Sequence, residues 1–182
     1  MTMQVTPTAI PDVKLIEPKV FGDARGFFFE SYNRLSFSTV GLGAEFVQDN
    51  HSRSHRGVLR GLHYQIEHAQ GKLVRAIAGA VFDVAVDLRR GSPTFGEHVA
   101  IELSAENKKM LWIPPGFAHG FIVVSEAAEF VYKTTDYWYP EHERTLLWSD
   151  PALRIRWPVA GAPIVTPRDA AGSSLAAAET YP

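Results

Sequence analysis

The sequence predicts an all-β sandwich or barrel with a few short helices. Short runs of β-branched and aromatic residues recur along the chain, and Gly, Pro and Asp separate them, as is typical of such folds. Patterns with helical periodicity are scarce by comparison. The predicted strands lie near residues 13–20, 26–32, 45–50, 58–65, 72–78, 80–88, 97–103, 110–114, 119–124, 128–136 and 145–148.

Helix is expected in only two stretches. Residues 33–40 predict one or two helical turns that end at Gly41 and Gly43. A second short helical turn is expected at residues 104–107, where the Ser104 hydroxyl could cap it. The tail, residues 169–182, is rich in small and polar residues, and we expect an irregular segment packed on the surface.

Composition indicates one globular domain, residues 1–182. Hydrophobic residues make up 46% and charged residues 21% of the chain, which is typical of globular proteins. A net charge of −2 with no basic run argues against nucleic-acid and anionic-membrane partners. The absence of cysteine excludes disulfides, thiolate metal sites and cysteine nucleophiles. Since no apolar signal core or membrane-length run is present, we expect a cytoplasmic protein.

The predicted strand at 58–65 places Arg60 and His63 within an apolar run. Burying an ionisable group costs free energy unless it is paired. This strand alone therefore favours a satisfied core histidine and a surface arginine. Strict alternation places the two side chains on opposite faces. Both could reach one ligand only if Gly61 permits a bulge or bend, or if Arg60 curls around the rim.

Three further strands carry polar groups on otherwise apolar or small-residue faces. Asp83 and Asp87 share a face of residues 80–88, which meets either solvent or a polar pocket. Lys72 at a strand end favours snorkelling, and Tyr132 favours a packing role. Together with His63, these residues supply a base, a cation, a phenolic acid and carboxylates. A small barrel commonly holds one small ligand in its mouth.

The motif pattern favours acid/base chemistry without a metal. The seven histidines form no His-x-His pair and offer no spacing typical of metal ligands, although a dispersed facial triad stays open. Neither the Gly-x-Ser-x-Gly motif of hydrolases nor a phosphate-binding Gly-x-x-x-x-Gly-Lys loop is present. A histidine, a tyrosine and a lysine suit proton transfer.

Ten segments of the chain resemble the dTDP-4-dehydrorhamnose 3,5-epimerases, a family of metal-free cupin enzymes. They are FGDARGFFFE (21–30), QDNHS (48–52), GVLRGLHYQ (57–65), QGKLV (70–74), FDVAVDLR (82–89), WIPPGFAHGF (112–121), YKTTDY (132–137), PEHE (140–143), WSDP (148–151) and WP (157–158). The resemblance implies a cupin-type double-stranded β-helix, or jelly-roll barrel, and an isomerase that needs no cofactor.

The same resemblance implies a substrate and catalytic roles. The substrate is a dTDP-linked 4-keto-6-deoxyhexose, and both C3 and C5 flank its ketone. His63 matches the general base, Tyr132 the acid, and Lys72 the cation beside the C4 oxygen. Asp169 matches the aspartate that pairs with His63 and stabilises the imidazolium.

Residues for substrate binding are implied likewise. Arg60 and His119 match diphosphate contacts, with Asp83 as the expected partner of His119. Gln48 and Asn50 match positions near the nucleotide, and Glu143 and Arg168 match other binding positions. The resemblance also implies a homodimer with an exchanged N-terminal segment, through which Arg25 and Glu30 reach the site of the partner subunit.

Two departures and three alternatives accompany this interpretation. The family usually ends in Leu-Ser-x-Lys-Asp, whereas residues 165–169 here have arginine at position 168; Ser149 replaces an asparagine in a turn. A mono-epimerase of an antibiotic-sugar pathway shares most of these residues. A cupin that only binds a sugar nucleotide needs no base, acid and cation together, and a metal-dependent cupin oxygenase is disfavoured by the missing His-x-His.

Overall fold

The computed structural model describes residues 3–182, and strands dominate this part of the chain. Its helices are α1 (Arg34–Thr39), α2 (Pro167–Ala170) and a 3-10 helix (Pro151–Leu153). Its strands are β1 (Gln4–Pro7), β2 (Lys14–Glu17), β3 (Phe21–Asp23), β4 (Gly26–Phe28), β5 (Gln48–His55), β6 (Leu59–Gln65), β7 (Lys72–Ala78), β8 (Ala80–Asp87), β9 (His98–Ser104), β10 (Met110–Ile113), β11 (Phe117–Val123), β12 (Ala127–Thr134) and β13 (Glu143–Thr145).

Two antiparallel sheets pack face to face. One has the strand order β1-β2-β10-β7-β12-β5, the other has the order β13-β6-β11-β8-β9, and β3 and β4 form a separate hairpin. Val74 and Phe130 of the first sheet meet Val81, Ala85 and Phe121 of the second in the core between them. The expected all-β jelly roll with a few short helices is confirmed.

The outer faces of both sheets are also covered. Val84, Val86 and Leu88 pack outside the second sheet against the C-terminal segment, so β8 is buried on both faces. The backbone N–H of Tyr181 donates to the Leu88 carbonyl at 3.0 Å, which ties the tail to this surface. On the first sheet, Phe37 of α1 covers the outer side.

The helix at 33–40 is confirmed, because α1 occupies Arg34–Thr39 and Asn33 caps it. The expected turn at 104–107 is present and Ser104 caps it, but it does not continue into a helix. The Lys108 N–H donates to the Ser104 carbonyl at 3.0 Å, and Ser104 and Asn107 exchange two side-chain to backbone hydrogen bonds of 3.0 Å. Helix α2 and the 3-10 helix were not predicted, and each begins at a proline.

The predicted strand at 45–50 is misplaced, since β5 runs from Gln48 to His55. One face of β5 is exposed and the other carries polar residues, so no apolar face reveals its length. Strands β1 and β3 were missed, and they contain only 4 and 3 residues. Among residues 3–182, the longest helix has 6 residues, and none could cross a membrane.

Candidate active site

A cavity of about 250 Å³ and an adjoining one of about 220 Å³ open between the two sheets. Four side chains line both of them and make them one functional space, called here the central cavity. These side chains are Asn50, His63, Lys72 and Tyr132. Asn50, Lys72 and Tyr132 come from the neighbouring strands β5, β7 and β12 of the first sheet, and His63 comes from β6 of the second.

The His63 imidazole is paired with a carboxylate from the tail. Its Nε2 donates to Asp169 Oδ1 at 2.6 Å, and Asp169 is only 3% exposed. Burial would raise the pKa of Asp169, but the hydrogen bond and charge of His63 outweigh burial and lower it. An ionised Asp169 keeps the proton on Nε2, which leaves Nδ1 as the basic nitrogen of a neutral ring.

Lys72 is buried rather than snorkelling, so the interpretation favoured for this residue alone is wrong. It is 8% exposed, and its Nζ lies 3.5 Å from the His63 carbonyl oxygen. Burial lowers the pKa of the ammonium to about 8, while the charges of Glu143 and Asp83 oppose that shift. The central cavity therefore contains a cation whose desolvation strengthens its interaction with any developing negative charge.

Tyr132 faces His63 across the cavity from the opposite sheet. Burial and the nearby charge of Glu143 raise the pKa of its phenol, and Arg60 partly opposes them. The hydroxyl therefore stays protonated at neutral pH and can act as a proton donor.

The Glu143 carboxylate accepts from Trp138 Nε1 at 2.9 Å and is paired with Arg168 at 2.7 Å.

Arg60 and His63 both line the central cavity because β6 contains a bulge. His63 pairs with His119 and Arg60 pairs with Phe121, so an interval of three residues in β6 lies opposite an interval of two in β11. At Gly61 the backbone has a φ of 121° and packs directly against Gly120. The predicted bend at Gly61 is confirmed, and it places both side chains on one cavity.

His119 forms a second histidine–aspartate pair on the neighbouring strand. Its Nε2 donates to Asp83 Oδ2 at 2.9 Å, and both side chains are buried. Among the described residues, Asp83 Oδ1 has no hydrogen-bond partner. Of the two environments considered for the face of β8 that carries Asp83 and Asp87, solvent is excluded, since both side chains are fully buried.

Most of the candidate residues converge, but two do not. Gln48, Asn50, Arg60, His119 and Glu143 line the central cavity, and Arg168 lies behind Glu143. Arg25 instead lies in the β3–β4 hairpin with a 90% exposed side chain paired with Asp23. Glu30 accepts hydrogen bonds from Asn33 and Ser36 at the start of α1. Within this chain neither residue lines the cavity.

The lining residues that were missed from the sequence include Ser52, Gln70 and Trp138. Alternation along β5 places Ser52 on the same face as Gln48 and Asn50, so that residue was accessible to prediction. Trp138 lies in a loop, where no periodicity predicts the direction of its side chain.

In the described part of the chain, no group of three or more histidine or carboxylate side chains is arranged to hold a metal ion.

Comparisons with known proteins converge on one family. A family model described as dTDP-4-dehydrorhamnose 3,5-epimerase matches residues 7–177. A curated protein of that name from Pseudomonas aeruginosa is 65% identical, covering 99% of this chain and 100% of its own length. Another, from Salmonella typhimurium, is 59% identical over 95% of this chain and 96% of its own length.

The fold is similar to that of a solved relative. A crystal structure of a dTDP-6-deoxy-D-glucose-3,5-epimerase from Legionella pneumophila, in complex with dTDP-4-keto-L-rhamnose, superposes with a TM-score of 0.95. The two chains are 52% identical, and the match covers 98% of this chain and 95% of the other.

Proposed function

Because the chain belongs to the dTDP-4-dehydrorhamnose 3,5-epimerase family, we propose that it inverts C3 and C5 of dTDP-4-dehydro-6-deoxy-D-glucose. The product is dTDP-4-dehydro-L-rhamnose, an intermediate of dTDP-L-rhamnose biosynthesis. One observation carries this proposal: the His63–Asp169 pair at 2.6 Å faces a cavity that also contains Lys72 and Tyr132. No cofactor takes part in the proposed reaction.

Proton abstraction is assigned to His63. The C3 and C5 hydrogens both flank the C4 ketone, so each can leave as a proton. When His63 takes that proton, the electrons of the broken C–H bond delocalise onto the C4 oxygen and form an enolate. The ring becomes imidazolium, and the adjacent Asp169 carboxylate stabilises its charge.

Lys72 stabilises the enolate. An ammonium beside the C4 oxygen interacts more strongly with an enolate than with a neutral ketone. Its effect is therefore larger in the transition state than in the bound substrate, which is the condition for catalysis. Burial of Lys72 supports this role, because few water molecules compete for its charge.

Tyr132 completes the inversion. It lies on β12 of the first sheet, whereas His63 lies on β6 of the second. A sugar ring between the two sheets would present opposite faces to the two groups. Protonation by the phenol on the face opposite His63 yields the inverted centre. Before the second centre is inverted, the imidazolium releases its proton to solvent and the phenolate regains one from solvent.

Substrate binding is assigned to the polar residues around these groups. The guanidinium of Arg60 and the imidazole of His119 are suited to the diphosphate. Gln48 and Asn50 lie near the nucleotide, and Glu143 and Arg168 contribute at the same end of the cavity as Trp138.

We further propose a homodimer in which the N-terminal segments are exchanged. The β3–β4 hairpin supports this, because Phe27 and Phe28 are 63% and 61% exposed and Arg25 lies beside them. In such a dimer Arg25 and Glu30 would reach the partner's cavity. We also assign the enzyme to the cytoplasm, where nucleotide-activated sugars are made.

Deuterium exchange tests the function directly. The chain is incubated with dTDP-4-keto-6-deoxyglucose in deuterated water, and C3 and C5 are followed by NMR. Exchange with inversion at both centres is expected. Exchange at one centre alone would identify a mono-epimerase, and exchange at neither would refute an epimerase function.

A further inference from the structure

Trp138 is presented to the central cavity by a short connection between β12 and β13. Its indole is 55% exposed and lines the cavity beside Glu143. An exposed aromatic side chain on a loop is ordinarily mobile, and fixing it on ligand binding would cost free energy. The backbone that carries Trp138, residues 136–139, is nevertheless held at every residue.

Gln65 makes the most extensive contacts with this backbone. Its Nε2 donates to the Tyr137 carbonyl at 3.1 Å and to the His68 carbonyl at 2.7 Å. Its Oε1 accepts from the Tyr139 N–H at 2.7 Å. One amide therefore holds the residues on both sides of Trp138. Gln65 is 3% exposed, and its position two residues after His63 in β6 puts it on the same face of the strand.

Two more glutamines complete the arrangement. Gln48 Oε1 accepts from the Trp138 N–H at 3.1 Å, and Gln70 Nε2 donates to the Asp136 carbonyl at 2.9 Å. Each residue from 136 to 139 thus has a backbone group bonded to a glutamine side chain. We call this arrangement the glutamine clamp (Gln48, Gln65 and Gln70).

We propose that Gln65 is a positioning residue for substrate binding, which acts by holding Trp138 at the mouth of the central cavity before substrate arrives. The loop is then ordered during folding, so substrate binding does not have to supply the free energy of ordering it. This inference rests on the proposed function, because its kinetic test uses the epimerase reaction.

The substitution Gln65→Glu tests the role with little change in volume. The glutamate can still accept from Tyr139, but its second oxygen faces two carbonyl oxygens without a proton to donate. We expect KM to rise about tenfold and kcat to stay within about twofold, since positioning affects substrate and transition state equally. An unchanged KM, or a fall in kcat alone, would overturn the proposal.

A double-mutant cycle with Trp138→Ala separates positioning from general damage. If Gln65 acts through Trp138, Gln65→Glu should raise KM by less than about twofold in the Trp138→Ala background. If Gln65→Glu raised KM by the same factor in the Trp138→Ala background as in the wild-type background, action through Trp138 would be contradicted.

A readout without substrate keeps this test distinct from the proposed function. The fluorescence of Trp138 is isolated by subtracting the emission of the matching chain that carries Trp138→Phe. Quenching of this fluorescence by acrylamide should be stronger in Gln65→Glu than in the wild-type protein. This measurement tests positioning even if wild-type protein shows no epimerisation. Should Gln65→Glu fail to fold, Gln70→Leu removes the hydrogen bond to Asp136. Because Gln70 also lines the cavity, the readout for this variant is the quenching measured without substrate. Quenching of Trp138 should increase, and an unchanged value would overturn the proposal.

Discussion

His63 and Asp169 are 106 positions apart, yet their side chains form a 2.6 Å hydrogen bond. Helix α2 makes this possible, because Thr166 caps it and its Oγ1 accepts from the Asp169 N–H at 3.2 Å. The preceding residue in the same helix, Arg168, pairs with Glu143. A helix of 4 residues thus connects the proposed base to the substrate-binding end of the cavity.

Asp169→Asn should lower kcat about 100- to 10,000-fold, the range for general acid–base groups. Asparagine can still accept from His63 Nε2, but it lacks the charge that stabilises imidazolium. Steady-state kinetics with a thermal melt checks this result. Glu67→Gln is the matched control, because Glu67 lies 3.6 Å from His142 in a histidine–carboxylate pair whose carboxylate is exposed. Equal losses in both variants would contradict a specific role for Asp169.

Activity should fall as pH rises through about 8, the value to which burial lowers the pKa of Lys72. Below that pH the ammonium is charged and stabilises the enolate, whereas above it the neutral amine cannot. A kcat/KM–pH profile measures this alkaline limb, because kcat/KM reports the pKa values of the free enzyme. In Lys72→Arg the limb should move to higher pH, since guanidinium stays charged. A limb at the same pH in that variant would belong to another group.

Tyr132→Phe should slow inversion more than proton abstraction. Phenylalanine keeps the packing of the ring and removes the proposed donor, while His63 is unchanged. Deuterium incorporation at C3 and C5 should persist, with epimerised product reduced about 100-fold or more. His63→Ala is the comparison, since it should abolish exchange at both carbons. Equal loss of exchange in the two variants would remove the distinction between base and acid.

Gly61→Ala should destabilise the fold by about 1–3 kcal/mol. A Cβ at Gly61 would lie 2.6 Å from Gly120 Cα and 2.8 Å from the His119 carbonyl oxygen. Gly57→Ala is the control, because Gly57 also has a positive φ of 78° but no atom within 4 Å of the new Cβ. Urea unfolding compares the two. A smaller loss at Gly61 than at Gly57 would show that close packing at the bulge does not matter.

Mixing two impaired variants tests the exchanged dimer. Arg25→Ala should raise KM, because Arg25 is expected to reach the partner's cavity, and His63→Asn should be inactive. In a mixed dimer, the Arg25→Ala subunit keeps its own His63 and receives Arg25 from the other chain. Activity above the sum of the two separate variants is therefore expected after refolding together. No gain, with mixed dimers present, would place Arg25 outside the partner's site.

Local pattern was sufficient for the fold class and for singling out His63, Lys72 and Tyr132, whereas the resemblance to the family implied most of the remaining site residues. Alternation along the strands predicted the faces of Lys72, Tyr132 and Asp83, because side-chain direction in a strand depends only on position. It failed for β5, whose polar faces carry no apolar signal, and for Lys72, whose burial depends on the second sheet. The bulge at Gly61 was predicted only conditionally, as one way in which Arg60 and His63 could reach the same ligand.

The sequence alone therefore determined that the chain is all-β, which residue types meet on each strand face, and which family its motifs resemble. Only the tertiary structure decided that Asp169 reaches His63, that β8 is buried on both faces and that three glutamines hold the loop of Trp138. The physical reason is the separation along the sequence between the residues that interact. Strand periodicity is a property of neighbouring residues, whereas contacts across 74 to 106 positions, such as Gln65 to Tyr139 and His63 to Asp169, exist only once both sheets and the tail have packed together.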